Sequence, residues 1–180
     1  MADAKRKVLV AYATRAGSTA GVAERVAEVL NRSGFATEAV STKEARDVGS
    51  YDAVVVGSCV RAGKLMPDLL KFLDKNKAVL ETKPFAAFIV CLAMKDGDEK
   101  DRTTAGSYLD PLRLRVKPAS EGLFAGAYDP EKLGFAVRQV MKMIKAPPGD
   151  FRRWDQVEAW AASLVPLFGA TVGAPHRADL

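Results

Sequence analysis

The stretch Val8-Leu9-Val10-Ala11-Tyr12-Ala13-Thr14-Arg15-Ala16-Gly17-Ser18-Thr19 decides how this chain folds, because an apolar run ends in small and hydroxyl residues just before a helical pattern. A continuous apolar run of this kind is typical of a strand buried in a parallel sheet. The helix that follows offers free backbone N–H groups and a favourable dipole to an anion. We therefore predict a phosphate-binding loop made of Thr14, Arg15, Ala16, Gly17, Ser18 and Thr19.

This loop matches neither of the two common phosphate motifs. It lacks the lysine of G-x-x-x-x-G-K-[ST], and it lacks G-x-G-x-x-G. A hydroxyl-rich loop without that lysine suits a monophosphate such as that of FMN, while lipid and sugar phosphates stay open from the loop alone. The alternative interpretation is an ordinary strand-to-helix turn in which Ser18 is the N-cap.

Strand and helix patterns alternate along the rest of the chain. Strands are predicted at Val8–Tyr12, Phe35–Val40, Ala53–Gly57, Phe85–Leu92 and Glu121–Ala127, and helices at Thr19–Ser33, Leu65–Lys75, Arg102–Arg113, Glu131–Lys145 and Trp154–Phe168. This alternation predicts an α/β fold with a doubly wound, five-stranded parallel sheet in the order 2-1-3-4-5. We expect a single domain over residues 1–170 and a flexible C-terminal tail over residues 171–180.

Composition limits the classes of function. The chain has 180 residues, 48% hydrophobic and 27% charged, and a formal net charge of +5. This balance favours anionic partners, but no Lys/Arg block alternates with aromatic residues and no Cys/His zinc spacing occurs, so we expect neither nucleic acid nor metal binding. The two cysteines, Cys59 and Cys91, fit a reducing compartment, and no apolar run approaches the roughly 20 residues of a membrane helix. A cytoplasmic protein is expected.

Ligands of doubly wound sheets bind at the carboxyl ends of the strands, so the loops after strands three and four are the next candidates. They contain Gly57, Ser58, Cys59, Val60, Arg61 and Gly63 in one loop, and Leu92, Ala93, Met94, Lys95 and Asp96 in the other. We expect them to form the walls of a flat pocket, the alternative being two ordinary crossovers. The stretch 58–64 has no aromatic side chain that could stack on a ring.

The late helix pattern at Glu131–Lys145 allows two interpretations. Its apolar stripe is formed by Leu133, Val137, Val140, Met141 and Ile144, and its positive charges by Lys132, Arg138, Lys142 and Lys145. Such a stripe packs on the sheet in many domains, but beside basic residues it also fits the surface of an anionic bilayer.

The chain resembles the flavodoxin family over nearly its whole length, and within that family it is similar to the menaquinone-dependent protoporphyrinogen dehydrogenases. The resemblance depends on Thr14-Arg15-x-Gly17-x-Thr19, Gly57-Ser58-x-Val60-Arg61-x-Gly63 and Leu92-Ala93-x-Lys95. It continues in Phe124-Ala125-Gly126-Ala127 and in Trp154-x-Gln156-Val157.

This resemblance implies that FMN is the cofactor, with its phosphate in the first loop and its isoalloxazine ring between the other two. Since the flavin carries the electron chemistry, no catalytic side chain is expected, and the single histidine, His176, lies in the predicted tail. The implied function is oxidation of an acidic porphyrin precursor in haem biosynthesis, with electrons passed to a quinone and peripheral contact with the inner face of the membrane. The alternatives are a soluble electron carrier that serves a redox partner protein and a domain that has lost its flavin.

Overall fold

The computed structural model describes residues 4–143 and 145–169. The strands are β1 (Lys7–Ala13), β2 (Ala36–Ser41), β3 (Ala53–Arg61), β4 (Lys64–Leu65), β5 (Phe85–Cys91), β6 (Ser120–Ala125), β7 (Ala127–Tyr128) and β8 (Gly149–Asp150). The helices are α1 (Ser18–Arg32), α2 (Pro67–Leu80), α3 (Glu99–Ser107), α4 (Asp110–Arg113), α5 (Phe135–Met143) and α6 (Trp154–Gly169). The predicted tail, with His176, and Ile144 of the predicted stripe lie outside the described residues.

The five longer strands are parallel and adjacent in the order β2-β1-β3-β5-β6. The predicted doubly wound α/β sheet and its order are confirmed, since β5 and β6 are the predicted fourth and fifth strands. β4 is a two-residue antiparallel addition to the end of β3 that the apolar pattern does not predict. β7 and β8 form a separate antiparallel ribbon beyond the main sheet.

Helices cover both faces of this sheet, which explains why the inner strands β1, β3 and β5 are largely apolar. Every residue of β5 is buried, and Val54, Val55 and Val56 have no exposed surface. The core on one face includes residues of α1 and α6, namely Val22, Val26, Val157 and Leu164. The core on the other includes residues of α2, α3 and α4, namely Leu69, Leu73, Ala105 and Leu112.

Two helices are shorter than their patterns predict. The pattern at Arg102–Arg113 is divided into α3 and α4, and a proline lies in the first turn of α4, where its missing N–H costs no intrahelical hydrogen bond. The pattern at Glu131–Lys145 becomes helical only at Phe135. Pro130 opens a separate 3-10 turn there, and Gly134 separates that turn from α5.

α5 differs from the longer helices because none of its residues is buried. Phe135 and Met143 are 76% and 82% exposed. The interpretation that places the apolar stripe on the sheet is therefore wrong, and the physical reason is the ribbon β7–β8, which carries this segment beyond the sheet edge. Among the described residues no helix is long and apolar enough to cross a membrane.

Candidate functional site

The phosphate loop, residues 14–19, connects the carboxyl end of β1 to the first turn of α1. Gly17 is the N-cap and has a φ of 91°, a left-handed conformation that favours glycine. The Thr14 Oγ1 atom accepts a hydrogen bond from the Gly17 N–H at 3.1 Å, which holds the turn together. The helix begins at Ser18, so Ser18 is not the N-cap and its hydroxyl is not used for capping.

The first turn of α1 has the features of a helix N-terminus that can receive an anion. No side chain caps it, and it contains no acidic residue that would repel a phosphate. Its backbone N–H groups therefore stay available, and the helix dipole favours negative charge at this end.

The hydroxyl of Thr19 supplies a direct test of whether a phosphate group fits here. Thr19 is fully buried, and its Oγ1 has no hydrogen-bond partner of good geometry within the described residues. The Cys59 thiol lies near it but is a weak acceptor. A buried hydroxyl without a partner is costly, and a phosphate oxygen in the loop would satisfy it. The residues present therefore fit the phosphate of FMN.

Cys59 lies beside this loop, near the carboxyl end of β3, and lines the cavity described below. Burial raises the pKa of its thiol, an effect that the backbone N–H groups of Arg15 and Cys59 and the charge of Arg61 partly oppose. The thiol is therefore protonated and neutral near pH 7, so it places no negative charge beside a bound phosphate.

The second predicted loop is a hairpin between β3 and β4. Ala62 and Gly63 both have positive φ values, 49° and 71°, as in the tight turns that connect antiparallel strands. Ser58 is fully buried and fastens the hairpin: its Oγ accepts a hydrogen bond from the Met66 N–H at 3.0 Å and donates one to the Cys59 carbonyl at 2.8 Å. These two hydrogen bonds of the buried Ser58 side chain therefore stabilise the hairpin.

Gly57 has a neighbour that the sequence does not indicate. A Cβ atom at this position would lie 2.1 Å from the Cζ atom of Phe88, whose ring crosses the strand there. Gly57 is therefore required by the core, directly under the site, and its backbone lies within the sheet between Val56 and Ser58.

The third predicted loop contributes only partly to the cavity. Leu92 and Ala93 line it, whereas Met94 is buried in the core on the α2 face. The Arg153 guanidinium donates to the carbonyls of Lys95 and Asp96 at 3.2 and 3.1 Å, so these two residues are held against the start of α6.

A cavity of about 740 Å³ opens at the carboxyl ends of β3 and β5, where a doubly wound sheet binds its ligands. The predicted residues that it brings together are Arg15, Ala16, Ser18, Cys59, Val60, Arg61, Gly63, Leu92 and Ala93. Thr14, Gly17 and Thr19 form the loop at its edge. A second hollow, of about 430 Å³, lies at the amino end of the sheet around Lys7 and Thr37, away from this loop.

Several lining residues are not indicated by the sequence. Tyr108, at the end of α3, supplies the aromatic ring that the hairpin lacks, and its Cε1 lies 3.6 Å from where a Gly63 Cβ would stand. Tyr128 of the ribbon and one side of α5 complete the lining. The amphipathic stripe of α5 is the one sequence signal that could have found part of this set.

Charge around the cavity is mostly positive. Arg15, Arg61 and Lys132 line it, and among the described lining residues Asp129 is the one acid. Lys132 is paired with Asp129 at 3.7 Å, whereas Arg15 and Arg61 have no ion pair in the described part of the chain. The site therefore combines an uncapped helix N-terminus, an apolar interior and two arginines without an ion pair in the described part of the chain.

The chain matches known proteins over most of its length. The family model for a flavodoxin domain matches residues 9–154. The chain is 24% identical over 174 residues to protoporphyrinogen IX dehydrogenase [quinone] of Escherichia coli strain K12, an alignment that covers 89% of this chain and 96% of that protein.

Solved flavodoxin structures share its fold. A flavodoxin of Streptococcus pneumoniae TIGR4 superimposes with a TM-score of 0.56 at 14% identity, covering 89% of this chain and 98% of the other. A short-chain flavodoxin associated with a bacterial microcompartment gives 0.60 at 16% identity, with 89% and 97% coverage. With the family model matched over most of the chain, the protein belongs to the flavodoxin-domain family.

Proposed function

We propose that this protein is an FMN-dependent oxidoreductase that takes electrons from a protoporphyrinogen and passes them to a quinone. The observation that carries the cofactor assignment is the buried, unpartnered Thr19 hydroxyl at the uncapped start of α1. A flavodoxin-family domain implies a flavin, typically FMN, and the relative from Escherichia coli bears the name of this reaction.

FMN would be held by its phosphate in the phosphate loop and by its ring against the hairpin between β3 and β4. When bound, the flavin would supply reversible electron uptake at the cavity. Thr19 and the N–H groups of α1 fix the phosphate, Ser58 keeps the hairpin in place, and Arg61 sets a positive charge at the cavity wall. That charge favours anionic over neutral forms of any group beside it.

The substrate assignment is supported by charge. A protoporphyrinogen carries carboxylates, and the two unpaired arginines, Arg15 and Arg61, lie at the cavity with no competing acid beside them except the paired Asp129. Guanidinium groups bind carboxylates through bidentate hydrogen bonds. A carrier that docks on basic proteins needs an acidic surface here, and this chain is basic.

The test is anaerobic oxidation of protoporphyrinogen by the FMN-loaded protein with a soluble quinone, followed by porphyrin fluorescence. We expect porphyrin to form only when FMN, protein and quinone are all present. The same preparation is assayed for electron transfer from a flavodoxin reductase to a haem protein. Rapid transfer there, with no porphyrin formed, identifies a soluble electron carrier instead and overturns the substrate assignment.

We further propose that the protein works in the cytoplasm, with peripheral contact at the inner face of the membrane. The support is the outer face of α5, where the exposed Phe135 lies on the same helix as Lys142, with Lys145 just beyond it. An exposed apolar ring beside basic residues fits an anionic bilayer surface, and such a bilayer is also where a lipid quinone resides.

A further inference from the structure

α5 forms one wall of the cavity although it contributes nothing to the core. The residues before and within it that line the cavity are Leu133, Gly134, Ala136, Val137, Val140 and Met141. Positions 133, 137, 140 and 141 follow the spacing of a single helix face. These four members of the stripe thus line the cavity. We call Ala136, Val137, Val140 and Met141 the inner face of α5.

The two walls of the cavity differ in chemistry. One wall, from the phosphate loop and the hairpin, carries Ser18, the neutral Cys59 thiol and two arginines. The inner face of α5 carries no charged and no hydrogen-bonding side chain. A flavin held by its phosphate in residues 14–19 would have its ring nearer the first wall, and the apolar wall would then be available to a second molecule.

The chemistry of the apolar wall selects an uncharged occupant. A carboxylate there would face aliphatic side chains, and the one cation at the start of this wall, Lys132, is already paired with Asp129. An ion buried without a partner is strongly disfavoured. Tyr108 also lines the cavity, and its hydroxyl makes no hydrogen bond within the described residues, so it is free to donate to a carbonyl oxygen.

We propose that the inner face of α5, together with the Tyr108 hydroxyl, binds the ring of a quinone beside the flavin. The inference rests on the proposed function for the identity of the acceptor, but it concerns binding and not turnover. The face of a quinone ring is flat and apolar and can pack on the aliphatic side chains of the inner face of α5. One of its carbonyl oxygens can accept a hydrogen bond from the Tyr108 hydroxyl.

The experiment measures equilibrium binding of menadione, a soluble naphthoquinone, to the FMN-loaded protein by calorimetry in the absence of membranes. Met141→Gln puts an amide on the inner face, and we expect it to weaken menadione binding about tenfold or more while FMN affinity stays unchanged. Met143→Gln is the matched control: it makes the same substitution in the same helix at a side chain that is 82% exposed and outside the cavity lining. We expect it to leave menadione binding within about twofold of the parent protein.

A second variant tests the same subsite with a substitution that is less disturbing to the fold. Tyr108→Phe keeps the ring and removes the donor, and we expect a loss of about fivefold in menadione affinity, the equivalent of one ordinary hydrogen bond. Circular dichroism and FMN titration confirm the fold of each variant. Equal menadione affinity for Met141→Gln, Met143→Gln and the parent overturns the subsite and leaves the FMN and porphyrin assignments standing. Selective loss in Met141→Gln without any porphyrin oxidation by the parent keeps the subsite and overturns the proposed function.

Discussion

The substitution Thr19→Val has opposite effects on the apoprotein and on FMN binding. It removes the hydroxyl and keeps the shape of the side chain. In the apoprotein the Oγ1 atom is buried without a partner, a situation that costs about 1–3 kcal/mol. We therefore expect Thr19→Val to raise the free energy of unfolding of the apoprotein by about 1 kcal/mol. This is less than the full cost of the unpartnered hydroxyl, because the structure around the substituted side chain relaxes only in part.

FMN binding responds in the reverse direction. A hydrogen bond to a charged group is worth about 1.5–3 kcal/mol, so loss of the hydroxyl should raise the FMN dissociation constant roughly tenfold to a hundredfold. The assays are quenching of flavin fluorescence during titration of the apoprotein and thermal unfolding of the apoprotein.

Thr37 provides the matched control. Its Oγ1 is also buried and unpartnered, but it lies on β2 at the amino end of the sheet, next to Val8 of β1. Thr37→Val should stabilise the apoprotein to a similar extent and leave FMN affinity unchanged. A Thr19→Val protein that binds FMN as tightly as the parent would refute the assignment of this hydroxyl to the phosphate.

Three further predictions concern charge and protonation. Arg61→Ala should lower the flavin midpoint potential by an amount on the order of 30 mV in a spectroelectrochemical titration, because a positive charge at the cavity stabilises reduced, anionic flavin. Lys64→Ala is the control, since Lys64 lies on the same hairpin but outside the cavity lining. An unchanged or higher potential in Arg61→Ala contradicts the assignment of Arg61 to the site. Burial raises the pKa of the Cys91 thiol from 9.0 to about 11, so the folded state holds that proton more tightly than the unfolded state. The stability that this thiol contributes below pH 9 should therefore decline as the pH rises toward 11. The urea midpoint of Cys91→Ala should depend less on pH across this window, and an identical decline in both proteins would contradict the role of this thiol. Charge reversal of Lys142 and Lys145 to Glu should abolish co-sedimentation with anionic vesicles at low salt, and binding of the parent to neutral vesicles alone would exclude the electrostatic surface.

The sheet and the loop that opens α1 are predictable from sequence because local chemistry determines them. A strand that is covered on both faces has to be apolar at every position, as β5 is, and a loop that follows such a strand and opens a helix points to an anion site. The position of Thr14–Thr19 at the turn into α1 could therefore be predicted from the sequence alone. Cys59, Val60 and Arg61 followed from the rule that ligands bind at the carboxyl ends of the strands.

The far wall of the cavity could not be predicted, because it depends on contacts between distant segments. Tyr108 reaches the hairpin only because α3 ends there, and the break before α4 is not visible in the helical pattern. The stripe of α5 indicated an amphipathic helix but not which surface it faces, since periodicity alone does not identify the partner. Met94 was expected at the cavity because it lies in a loop at the carboxyl end of a strand. Its side chain is buried in the core instead, where an apolar side chain is more stable than at an open cavity.

The antiparallel pairing of β7 with β8 makes the segment between them exchangeable. Ala127 lies directly opposite Asp150, so the two points where this segment leaves the domain are adjacent neighbours. A segment with neighbouring ends and no buried side chain in its helix can be lengthened, shortened or replaced at little cost to the sheet. One wall of the cavity can in this way be altered through a single segment, while the sheet and residues 14–19 stay unchanged.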